Sequence, residues 1–142
     1  MVHRAMSVEG LLGIEAAWPA SPLALSRAVA SGLPAAAVER LASAVAPDDA
    51  RFKYRLVPPA TLRRRRLAGR LTAAEGDRLA RLAKVFEMAL EIYGAPESAR
   101  NFMRRPHPML EGAVPLDVVL AADPGADVVV NLLGRAAYGG GV

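Results

Sequence analysis

The sequence predicts an all-α protein, and three observations carry that prediction. Ala (29 residues) and Leu (18) dominate the 142-residue chain, while aromatic residues reach only 5%. That palette favours helices and leaves too few β-branched and aromatic residues for a sheet. Apolar residues recur at helical spacing along most of the chain. Ser-Pro, Thr-x-x-Glu and single glycines punctuate it where helices start and stop.

The elements follow in order. Ser7 caps a weak amphipathic stretch, Val8 to Ala17, which Trp18-Pro19 ends. Ser21-Pro22 is an N-cap followed by a first-turn proline, and Gly32 is the stop of that helix. Pro34 opens the next, in which Val38, Leu41 and Val45 share one face. Pro47-Asp48-Asp49 opens a third that runs to about Arg55, with Phe52 and Leu56 inward. Pro59 starts a fourth, Pro59 to Ala68, closed by Gly69. The two short helices around Leu56-Val57-Pro58 have the spacing of a helix-turn-helix.

Thr72 and Glu75 form a capping box at the head of the longest periodic segment. Leu79, Leu82, Phe86, Leu90 and Tyr93 make its apolar face, and Gly94 stops it. Ala95-Pro96-Glu97 restarts a helix through Phe102 and Met103, and Pro106-His107-Pro108 ends it. Val114-Pro115 opens a short helix to about Ala121, Asp123-Pro124-Gly125 reads as a turn, and 126–137 form a last helix burying Val129, Val130, Leu132 and Leu133. Gly139 to Val142 are expected to be a flexible end. The predicted organisation is an arm at 1–20, a helix-turn-helix domain at 21–70 and a helical domain at 71–142.

Several function classes are disfavoured. The chain has no Cys, so disulfide and thiolate chemistry are absent, and two His make a metal site poorly supported. No nucleophile elbow, P-loop or dinucleotide fingerprint occurs, so neither an enzyme nor a cofactor is expected. Glu87 and Glu91 read as solvating charge, and His107 as a loop residue. No uncharged run approaches the roughly 20 residues that span a bilayer. Glu9 and Glu15 interrupt any signal-peptide core, so a soluble, cytoplasmic chain without a membrane partner is expected.

The charge is uneven. Residues 1–71 hold 11 Arg and Lys against 5 Asp and Glu, whereas 72–142 hold 7 against 9. A basic half points to a polyanionic partner. Its focus is Arg63-Arg64-Arg65-Arg66. With Leu62 at 0° and 100° per residue, Arg66 falls near 40° and Leu67 near 140°, bracketing the buried side, at roughly this precision. Thr61, Arg64, Arg65 and Ala68 fall between about 200° and 300°, the side that enters a major groove. Arg63, Arg66 and Arg70 flank it and reach phosphates.

The second half carries a family resemblance. Arg70-Leu71-Thr72, Glu75, Asp77-Arg78-Leu79, Arg81-Leu82-Ala83 and Phe86 come first. Ala99 to Phe102, Pro106, Pro108-Met109-Leu110, Gly112, Pro115-Leu116-Asp117, Leu132-Leu133-Gly134-Arg135 and Tyr138-Gly139 follow in order. This series resembles the toxin-binding domain of Xre/MbcA/ParS antitoxins, and 22–70 resemble the Xre-type helix-turn-helix that precedes it. The resemblance implies a type II antitoxin beside a RES-domain toxin that consumes NAD or transfers ADP-ribose from it. It implies that the C-terminal domain covers the toxin's NAD pocket, with Arg135, Tyr138, Gly139, Gly140, Gly141 and Val142 at the plugging end. It also implies a homodimer that represses its own operon, with Arg64 and Arg65 at the recognition-helix position. The alternative is a stand-alone helix-turn-helix transcriptional regulator with a helical oligomerisation domain.

Overall fold

Residues 7–14 and 21–138 are described in the computed structural model. Among them the regular structure is helical, apart from one isolated antiparallel bridge between Pro34 and Arg70. The expectations for Trp18-Pro19 and for Gly139 to Val142 lie outside the described residues. The chain forms two compact units, Met1–Ala83 and Lys84–Val142, divided within one long helix.

The first unit begins with α1 (Val8–Leu12), where Ser7 Oγ accepts from the Gly10 N–H. Expected to reach Ala17, α1 ends five residues earlier, because Gly13 turns left-handed at φ 74° and returns its N–H to Glu9 and Gly10. Ser21 caps α2 (Pro22–Ser31), its hydroxyl accepting from Ala24 N–H. Helix α3 (Ala37–Val45) starts three residues after Pro34. The chain at 33–35 is instead paired with 69–71, through Ala35 N–H to Gly69 O and Leu71 N–H to Leu33 O.

The third predicted helix is the largest departure in this unit. Only α4 (Lys53–Leu56) is α-helical. Ahead of it the chain turns tightly: Asp49 Oδ1 accepts from Arg51 N–H, and Phe52, Tyr54 and Arg55 each donate three residues back. The side chain of Asp49 thus competes with a regular start at Pro47. Phe52 and Leu56 are buried as the spacing requires. Helix α5 (Pro59–Ala68) follows, stopped at Gly69 with φ 84°. Val38, Leu41, Phe52, Val57, Leu62 and Leu79 are among the fully enclosed residues of this unit.

Helix α6 (Ala73–Tyr93) is 21 residues long. It gives Leu79 and Leu82 to the first unit and Phe86 and Ala89 to the second, all of them buried. The second unit continues with α7 (Pro96–Arg104), a 3-10 turn at Pro108–Leu110, α8 (Pro115–Ala121) and α9 (Asp123–Ala137). Phe102, Met103, Leu116, Val119, Val129, Leu132 and Leu133 form its interior. Val130, expected inside, is only half-buried.

Asp123-Pro124-Gly125 is not a turn but the first turn of α9. A single extended residue, Ala122, separates α8 from α9, and Pro124 sits where a helix start tolerates it. Gly125 is there because α9 enters directly against the backbone of α8: a Cβ would collide with the carbonyl of Val118. A Cβ at Gly134, on the same helix, would meet nothing within 4 Å. The two glycines therefore respond oppositely to one methyl group. Gly125→Ala should lower the unfolding free energy by roughly 1–3 kcal/mol through overpacking. Gly134→Ala should raise it by roughly 0.5–1 kcal/mol through helix propensity. Urea unfolding of both variants checks this, and equal midpoints for the two would contradict the close approach of α8 and α9.

Candidate functional site

Helix α5 is held at its roll angle by one buried residue and two ion pairs. Leu62 is its enclosed residue, at 1% exposure. On one side, Arg65 Nε donates to Glu75 Oε1 at 2.7 Å. The same oxygen accepts from Thr72 N–H at 2.9 Å, while Glu75 N–H donates to Thr72 Oγ1 at 3.1 Å. The capping box read in the sequence is thus also the anchor of α5. On the other side, Arg66 pairs with Glu39 of α3, which Lys53 Nζ also reaches at 3.2 Å. The turn into α5 is fixed from α6: Arg78 donates to the carbonyls of Arg55 and Leu56 at 2.8 and 2.9 Å. These are last-turn carbonyls of α4 that have no partner within the helix.

This arrangement sorts the arginines. Arg65 and Arg66 lie beside Leu62 and are spent on Glu75 and Glu39. Thr61 is half-buried, and its hydroxyl accepts a long bond of 3.5 Å from Arg64. Arg70 donates to Ser31 O at the C-terminus of α2, at 3.2 Å. Arg63 and Arg64 remain on the exposed face. Counted from Leu62, the exposed residues Arg63, Leu67, Ala60, Arg64 and Ala68 span about 100° to 240°. The outward face is rotated from the predicted one. Leu67 does not bracket the buried side; it is 87% exposed, near the middle of the outward arc. Angular counting overestimated the width of the buried stripe, because a ten-residue helix with one enclosed residue buries a narrow arc.

The electrostatics agree with the geometry. Burial pushes the Glu75 carboxyl up, but the hydrogen bonds from Arg65 and Thr72 outweigh it, and the group ends below the usual carboxylate range. The Glu75 hydrogen bond correspondingly raises Arg65.

In the second unit, Arg135 and Tyr138 lie exposed at the end of α9, Tyr138 at 93%. Gly139, Gly140, Gly141 and Val142 fall outside the described residues. A cleft of about 340 Å³ lies between α7 and the following loop, lined by Tyr93, Asn101, Phe102, Arg105 and His107 among others. Its rings meet in sequence, Tyr93 tilted on Phe102 at 5.4 Å and Phe102 edge-on to His107 at 6.1 Å. His107 is structural: Nδ1 accepts from Met109 N–H at 3.1 Å. Among the described residues no group of three acidic or His side chains could hold a metal, and no helix is long and apolar enough to cross a membrane.

The basic α4–turn–α5 unit lies in the first compact unit, and a second compact helical unit follows it. Residues 24–84 match the family model of the antitoxin Xre-like helix-turn-helix domain. Residues 88–139 match that of the antitoxin Xre/MbcA/ParS C-terminal toxin-binding domain. The two matches together cover well over half of the chain, which belongs to the Xre-type antitoxins. Neither family is an enzyme family. No curated protein matches the chain.

The Glu75 anchor makes stability depend on acid. Its folded pKa is depressed, so its contribution is complete above the ordinary carboxylate value of roughly 4.3 and is lost as pH falls through the lower folded value. Glu75→Gln should therefore be less stable than the native chain at pH 7, and the gap should close on acidification. Urea unfolding at a series of pH values measures it. A gap that stays constant from neutral to strongly acid pH would show that the carboxylate is not held by Arg65.

Proposed function

We propose that this antitoxin neutralises a RES-domain toxin and represses its own operon, acting as a homodimer within a larger cytoplasmic toxin–antitoxin complex. Its C-terminal domain covers the NAD pocket of the toxin. The single observation that carries the two-part reading is the separation of its exposed features. Arg63 and Arg64 stand outward on α5, and Arg135 and Tyr138 stand outward at the end of α9, in different compact units. The RES class of the toxin rests on the ordered motif series from Arg70 to Tyr138.

On the DNA side, α5 enters the major groove. Arg64 suits bidentate pairing with guanine, and Arg63 suits a base edge or a flanking phosphate. Arg65, expected from the sequence to read bases, is drawn to Glu75, and Thr61, expected to do the same, is half-buried beside Leu62, so they support α5 rather than lead the contact. Arg66 and Arg70 are half-committed in the same way, to Glu39 and Ser31, and add positive potential near the backbone.

On the toxin side, Gly139, Gly140, Gly141 and Val142 follow Tyr138. Glycines carry no side chain to obstruct entry into a narrow pocket. Holding each of them costs about 1–2 kcal/mol of backbone entropy, which the surrounding domain interface must offset. The folded helices therefore supply the affinity and the tail supplies the block. The test is NAD loss by the purified complex, comparing the full chain with one lacking 139–142 at saturating concentration. The truncated chain should still co-purify with the toxin, and NAD consumption should return. Full inhibition by the truncated chain would contradict the plug, and failure of the full chain to bind the toxin would contradict the whole reading.

A further inference from the structure

We infer that Leu67 is a sequence-reading residue that packs on a thymine methyl group in the major groove. The inference rests on the proposed DNA-binding role of α5 and adds to it an apolar contact at the centre of the basic face.

The residue is conspicuous on three counts. It is 87% exposed, on a helix whose other leucine, Leu62, is 1% exposed. It shares its outward arc with Arg64, three residues back, and Ala60, seven residues back, so the three lie on one side of α5. Arg63 borders the same arc, and α5 contains no acidic residue. The surface is thus a small apolar centre framed by cations.

Its occupant must offer an apolar group inside a strongly anionic frame. A DNA duplex does so. Thymine presents its C5 methyl in the major groove, between two rows of phosphates, and the groove is wide enough to admit a helix. An apolar protein surface would meet Leu67 but strand the guanidinium groups of Arg63 and Arg64 without counter-charge. The charge pattern therefore selects DNA, and the i, i+3 spacing of Arg64 and Leu67 asks for a guanine close to a thymine in the bound site.

The test replaces single thymines by uracil, which removes the methyl and leaves base pairing intact. The native chain is titrated by fluorescence anisotropy onto the duplex upstream of its own coding sequence and onto a set of singly uracil-substituted copies. At one thymine per half-site the native chain should lose about fourfold in affinity, the worth of one buried methyl-sized group. Leu67→Ala should bind the unsubstituted duplex more weakly and show no uracil penalty at that position. Its exposure means that the variant keeps its fold, which circular dichroism verifies. Equal affinity of the native chain for every substituted duplex would overturn the inference and leave DNA binding standing. So would an unchanged uracil penalty in Leu67→Ala, or a change in that variant's oligomeric mass or toxin binding with DNA affinity intact. Absence of binding to any duplex would overturn the DNA-binding reading, and the inference with it.

Discussion

The Glu75 carboxylate, with Glu39 on the opposite flank, fixes which side of α5 meets the outside. Its Oε1 closes the capping box that starts α6 and at the same time holds Arg65 of α5. A helix with a single enclosed residue has little apolar grip to fix its rotation, so polar contacts must do it. Glu75 draws in one flank and Glu39 the other. Arg78 then pins the turn by taking up the end of α4. Two arginines of the four-residue run are consumed in this framework, and the remaining two are turned outward. The basic run is therefore both scaffold and surface.

The same economy runs through the second unit. Helix α9 follows α8 after a single residue, so backbone approach matters there as much as side-chain burial. Gly125 lets α9 start against Val118, and the single extended residue Ala122 links α8 to α9. Direct seating of α9 on α8 positions Arg135 and Tyr138 at the exposed end of the unit. In each unit a helix carrying exposed basic side chains has its placement set by a specific local contact.

Much of this was legible in the sequence. Ser7, Ser21, Thr72 with Glu75, Gly32, Gly69 and Gly94 marked helix ends because capping chemistry is local. The apolar spacing of α6 located Leu79, Leu82 and Phe86 inside. What escaped had non-local causes. The Pro34–Arg70 bridge delays α3, and its partner lies far along the chain. Asp49 folds back on Arg51 and shortens the predicted third helix, a competition that a proline-and-acid start signal does not reveal. Gly125 reads as a turn residue in one dimension and as a packing residue in three. Angular counting placed Leu67 at the edge of the buried side, whereas the reach of Glu75 and Glu39 decides the roll of α5. The order of the family motifs carried the domain reading where single motifs were weak.

Cysteine scanning tests most directly the claim that Glu75 and Glu39 set the outward face of α5, because the chain has no cysteine of its own. Each introduced thiol is then the only one, and its modification rate is read with and without the bound duplex. The predicted result is strong protection by DNA at Ala60→Cys and Leu67→Cys, with weaker protection at Thr61→Cys and Arg66→Cys on the flanks. The reverse order, with 61 and 66 shielded and 60 and 67 fully reactive in the complex, would contradict the account.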